Sequence, residues 1–166
     1  MLLGASKTLS SVSQCKTCTN YIKGNALHCN CYDSEKSGQE LIQLIEEVSS
    51  LTHGHNRSKL ACILDTQFAI QIILGYEKEK ALDRTIDFIK YNCVSAYSDE
   101  FRNFEKILSK KIVNVTKDEI KSSGYVIGTL EATLWTFFHA DGYRNRILKA
   151  INLGGDTNTI VVSILA

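Results

Sequence analysis

The chain has 166 residues, a hydrophobic fraction of 44% and a formal net charge of +1, which is length enough for one domain with a real core. A charge so near zero gives no reason to invoke nucleic acid or an acidic membrane surface, and no apolar run approaches the roughly twenty residues that span a bilayer. Met1-Leu2-Leu3 leads into a polar Ser/Thr stretch rather than a signal-peptide core, so a cytoplasmic location is expected.

Residues 1–33 are rich in Ser, Thr, Asn and Cys without a sustained apolar period, and read as an irregular segment ahead of a domain over 34–166. Within it, Cys15-x-x-Cys18 and Cys29-x-Cys31, with His28 adjacent, could supply four ligands to zinc. The second pair is tighter than most zinc loops, and reduced free thiols are the competing reading.

A helix is expected from Ser37, where Ser37-x-x-Glu40 forms a capping box ahead of Leu41, Leu44, Ile45 and Val48. A second runs from Arg57 to Leu74, apolar at Leu60, Ile63, Leu64, Phe68, Ile72 and Ile73, and closed by Gly75. A third covers about Lys78–Asn92, and Phe101, Phe104, Ile107 and Leu108 mark a short fourth. Cys62 and Cys93 fall on apolar helical faces and read as small core residues. Thr116-x-x-Glu119 caps a short turn, and the lysines from Lys106 to Lys121, interspersed with acids, read as a solvated surface. Helices from about Gly128 to His139, Tyr143 to Asn152 and Asp156 onward complete the order. Trp135, Phe137, Phe138 and Tyr125 are expected in the core, with adenine stacking as the alternative use of such rings. Average usage would supply about eight prolines in this length, and there are none. A proline-free chain with glycines between periodic segments predicts an all-α fold.

Chemistry concentrates at the C-terminus. Gly154-Gly155-Asp156-Thr157-Asn158-Thr159 precedes an apolar run of Ile160, Val161, Val162 and Ile164. Glycines tolerate unusual dihedrals and close backbone approach. Asp156 can cap the helix that starts there. Asp156, Asn158 and Thr159 together offer a carboxylate, an amide oxygen and a hydroxyl, a set suited to Mg²⁺ or Mn²⁺ rather than zinc. A capped glycine loop without metal accounts for the same spacing.

The stretch Ser122-Ser123-Gly124-Tyr125-Val126-Ile127-Gly128-Thr129-Leu130-Glu131-Ala132-Thr133-Leu134-Trp135, then Asp141-Gly142-Tyr143 and Asn152-Leu153-Gly154-Gly155-Asp156-Thr157, resembles the C-terminal part of the ADP-ribosylglycohydrolase family. Ser49-Ser50-Leu51-Thr52-His53-Gly54-His55 resembles that family's S-x-LTH-x-H segment, and the resemblance covers roughly Glu46 to Ala166. It implies an orthogonal helical bundle of the ADP-ribosylglycohydrolase type, incomplete at both ends and corresponding to the C-terminal half. It also implies hydrolysis of the bond joining ADP-ribose to a protein side chain, with two Mg²⁺ or Mn²⁺ ions. On that resemblance His53, Gly154 and Gly155 would face the substrate, and Asp156, Asn158 and Thr159 would hold metal; no catalytic residue is assigned. The partners would be ADP-ribose or an ADP-ribosylated protein, together with a complementing N-terminal half or a second copy.

The departures are specific. The family's acidic Thr/Ser-Asp-Asp cluster has no counterpart here, its second motif aspartate is Asn158, and Gly128 stands where an aspartate is usual. Weak metal binding and weak or no activity by this chain alone are therefore expected. The alternative is a non-catalytic remnant that binds ADP-ribose or a partner chain.

Overall fold

The computed structural model describes residues 35–165, and among them every regular element is helical. The cysteine-bearing segment, with the expected irregular region 1–33 and any zinc site, lies outside the described residues. Helix α1 runs Glu35–Ser50. It starts before Ser37, which therefore lies inside the helix and not at its mouth, so the predicted capping box does not open it. Contacts divide the chain within α1, after Leu44, into two compact units; all that follows concerns Ile45–Ala166.

Helix α2, Asn56–Ile73, is opened by His55, whose Nδ1 accepts from the Arg57 backbone N–H at 3.1 Å. Its apolar period buries Leu60, Ile63, Leu64 and Phe68, and Gly75 at φ +86° closes it in the left-handed conformation that glycine tolerates. Four residues lead to α3, Lys78–Asn92, which packs Ala81, Leu82, Ile86 and Ile89 into the core it shares with α2. Arg84 Nε donates to Gln71 Oε1 at 2.8 Å across that pair.

The single short fourth helix that the sequence suggested is a broken series. Helix α4, Val94–Tyr97, is followed by a 3₁₀ stretch at Ser98–Phe104 and by α5, Glu105–Leu108. Phe104, Ile107 and Ile112 are fully buried, so these turns are held by inward side chains more than by helix length. The Thr116/Glu119 capping box forms as expected over the 3₁₀ turn Lys117–Glu119. Three of the lysines in this region pair with acids: Lys106 with Glu131 at 2.9 Å, Lys111 with Glu105 at 2.7 Å, and Lys110 with Asp83.

Helix α6, Val126–His139, begins two residues before the expected start and is buried continuously from Gly128 to Thr136. Such all-round burial marks a central helix; α2, α7 (Tyr143–Leu153) and α8 (Thr157–Leu165) all pack against it. Trp135 lies 5% exposed with its indole N–H donated to Val115 O at 2.9 Å, as expected of a core aromatic, whereas Phe137 and Phe138 are half-buried, Phe137 meeting the buried Phe68 edge-on at 5.4 Å. Cys93 is buried too, and burial pushes its thiol up to about 12. Cys62 is only half-buried, its thiol 3.8 Å from Ser49 Oγ. No helix of the described residues is long and apolar enough to cross a membrane.

Candidate functional site

The C-terminal motif forms a corner between α7 and α8. Gly154 at φ +74° and Gly155 at φ +67° turn the chain through conformations that side-chain-bearing residues rarely adopt. At Gly155 the close approach is filled by the protein itself, since a Cβ would lie 1.9 Å from Ser122 O. At Gly154 a Cβ would meet nothing within 4 Å. The Asp156 N–H donates to Ser122 O at 2.9 Å, and Ser122 Oγ donates to Leu153 O at 3.4 Å. The loop before α6 thereby holds the loop before α8.

Asp156 is the N-cap of α8. Its Oδ1 accepts from the Thr159 N–H at 3.3 Å and its Oδ2 from Thr159 Oγ1 at 2.8 Å. Asn158 and Thr159 are exposed and Asp156 is partly so. A Cβ on Gly124 would come 3.1 Å from Asp156 Oδ2, so Gly124 keeps the backbone close to that carboxylate. Gly128, unexpected where an acid is usual, has a packing cause: a Cβ there would meet Lys121 O at 2.6 Å.

The second segment lies on the loop between α1 and α2. His53 is exposed, with its N–H donated to Ser49 O at 2.8 Å and its Nδ1 3.1 Å from Thr52 Oγ1. His55 spends Nδ1 on capping α2. Three residues that the sequence did not single out connect this loop to α6. Arg57 Nε donates to Glu100 Oε2 at 2.7 Å, Asn103 Nδ2 donates to the same oxygen at 2.8 Å, and Arg57 also donates to the Tyr125 hydroxyl. Burial alone would raise the Glu100 carboxyl, but the bonds from Arg57 and Asn103 hold it below the ordinary range. Tyr125, expected in the core, is 52% exposed instead, because its ring is directed to this cluster at the mouth of α6. One sequence signal pointed to Arg57: a cation in the first turn of a helix opposes the helix dipole and calls for an acidic partner.

Two divalent cations need several anionic oxygens between them. The corner offers one carboxylate, both of whose oxygens already accept from Thr159, and no group of three His, Cys, Asp or Glu among the described residues could hold a metal ion. The described residues do not fit a two-metal centre. A groove of about 480 Å³ lined by Lys117, Trp135, Asn145, Leu148, Lys149 and Asn152 includes none of the residues assigned to substrate or metal.

The sequence model of the ADP-ribosylglycohydrolases matches residues 17–163. The chain belongs to the ADP-ribosylglycohydrolase family. The match begins well ahead of Glu46, where the recognisable motifs start, and includes part of the cysteine-bearing segment. Among curated relatives, an ADP-ribosylarginine hydrolase Tri1 of Serratia proteamaculans (strain 568) is 30% identical over 128 residues, covering 77% of this chain and 32% of that protein. An ADP-ribosylarginine hydrolase Tri1 of Pseudomonas putida (strain GB-1) is 26% identical over 115 residues, covering 69% and 28%. This ADP-ribosylglycohydrolase chain thus spans about a third of the length of the curated relatives it matches. The all-helical architecture of the described residues is that of the family.

Proposed function

We propose that the chain supplies the Asp156 corner and the His53 loop to an ADP-ribosylarginine hydrolase site. In this reaction water adds across the glycosidic bond between the ribose and the arginine guanidinium, releasing ADP-ribose and restoring the arginine. Family membership supports the reaction class, and the activity for which both relatives are named supports arginine as the linkage. The observation that carries the reading is the capped carboxylate at the mouth of α8, held by Ser122 and Gly124 beside the open backbone of Gly154.

Asp156 Oδ2 and Thr159 Oγ1, whose proton points to that carboxylate, both offer lone pairs as acceptors for ribose hydroxyls. Gly154 allows the ligand backbone-close approach. His53, exposed on its loop, offers a ring nitrogen to the ribose–phosphate portion. With one carboxylate in the corner, divalent-metal binding by this chain alone is weak and turnover slow or absent, so ligand binding is the first quantity to measure. A thermal melt with and without ADP-ribose plus Mn²⁺ tests it, since a ligand selective for the folded state raises the midpoint. The expected result is a raised midpoint that Asp156→Ala abolishes, with an Mn²⁺ dissociation constant in the millimolar range or weaker by calorimetry. A midpoint that ligand leaves unchanged would overturn the binding reading; a micromolar Mn²⁺ constant would overturn the metal one.

A further inference from the structure

The two candidate segments are far apart in sequence, and Arg57 links the first of them to the turn that abuts the second. Arg57 lies on the first turn of α2, two residues after His55 and four after His53. Its guanidinium is held on one side by Glu100, with Nε to Oε2 at 2.7 Å and a terminal nitrogen 3.5 Å from Oε1. On the other side it donates to the Tyr125 hydroxyl, 68 residues along the chain. Tyr125 is the N-cap residue of α6, and its neighbour Gly124 lies against the Asp156 carboxylate. Glu100 is 14% exposed and its Oε2 also receives Asn103, so the anchor of Arg57 is itself fixed. Arginine suits this position because its planar fork presents several donors in fixed directions, whereas lysine offers a single point charge on a flexible stem.

We infer that Arg57 is a positioning residue, which joins the His53 loop to the Tyr125–Gly124–Asp156 turn and keeps the two in register for ADP-ribose. The inference rests on the ADP-ribose reading given above. Arg57 touches neither candidate ligand group in this role; it acts through Tyr125 and through the start of α2. The pair is also favoured electrostatically, because the bond to Glu100 is the main cause that raises the guanidinium above its ordinary value.

The test uses Arg57→Met, Tyr125→Phe and the double variant in the full chain, with ADP-ribose as the calorimetric probe. If the two side chains act as one tie, each single variant weakens ADP-ribose binding about tenfold and the double variant weakens it no further, as expected for directly coupled partners. All three keep a cooperative melt. Histidine ring signals recorded by NMR without ligand supply a separate readout. Tyr125→Phe is expected to shift the His55 ring signals in the Arg57 protein and to leave them unmoved in the Arg57→Met background. Ligand binding by wild type that both single variants retain in full would overturn the positioning role and leave the functional reading standing. Losses that simply multiply in the double variant would also overturn it. If wild type binds no ADP-ribose while the histidine signals still couple to Tyr125, the functional reading falls, and with it the ligand role of Arg57. Absence of that coupling overturns the tie itself.

Discussion

Asp65 shows how a single side chain sets a pH dependence. It sits partly covered on α2 with no hydrogen bond or ion pair among the described residues, and burial pushes its carboxyl from 3.8 up to about 6. A carboxyl whose folded value lies above its unfolded one holds its proton more tightly in the native state. Its contribution to stability therefore falls as pH rises from about 4 to 6 and is constant above that range. Asp65→Asn is expected to stabilise the chain by about 1–2 kcal/mol at pH 7, with the gain vanishing near pH 4. Denaturant melts at both pH values check this, and an equal gain at both would contradict it. Gly155 is limited by space as well as by dihedral angle, since the Ser122 carbonyl occupies the place of a Cβ. Gly155→Ala should cost on the order of 3 kcal/mol, and equilibrium unfolding that leaves stability unchanged would refute the docking of the two loops.

At the scale of elements, α6 organises this half of the core. It is enclosed by α2, α7 and α8, and Trp135 ties it to the irregular chain before it through the bond to Val115 O. Trp135 also stacks on His139 at 4.7 Å, with the Lys149 ammonium 5.0 Å from its ring centre. Trp135→Phe keeps most of the apolar volume but leaves the Val115 carbonyl without its donor. A loss of about 1–2 kcal/mol is expected from that bond, measured as a lower midpoint in denaturant. The buried Glu131 on the same helix remains tolerable because Lys106 reaches it.

For the unit Ile45–Ala166 as a whole, the question is whether the short turns of residues 94–120 unfold with the long helices. Phe104 is completely buried within those turns, and Trp135, the only tryptophan, reports from α6. Phe104→Ala should lower stability by about 3–4 kcal/mol, and the Trp135 fluorescence and circular dichroism transitions should move together. Separate transitions would mean that the turns and the helical pack melt independently.

Much of this was legible in the residues. Proline-free apolar periods marked α2, α3, α6 and α7, Gly75 marked the end of α2 and the Thr116/Glu119 pair a 3₁₀ turn, because capping and periodicity are local properties of the backbone. The Asp156 N-cap was readable for the same reason, and the paired glycine motif identified the family. The Ser37 box failed because helix α1 extends upstream of the local cap signal. The short series from Val94 to Leu108 could not be read as separate turns, since its shape depends on where Phe104 and Ile107 are buried. Only the tertiary structure decided that Ser122 fills the space at Gly155, that Tyr125 stands partly in solvent, and that Arg57 joins it to Glu100. Those contacts bridge residues 33 to 68 positions apart, and no local pattern encodes a partner that chain folding alone brings within reach.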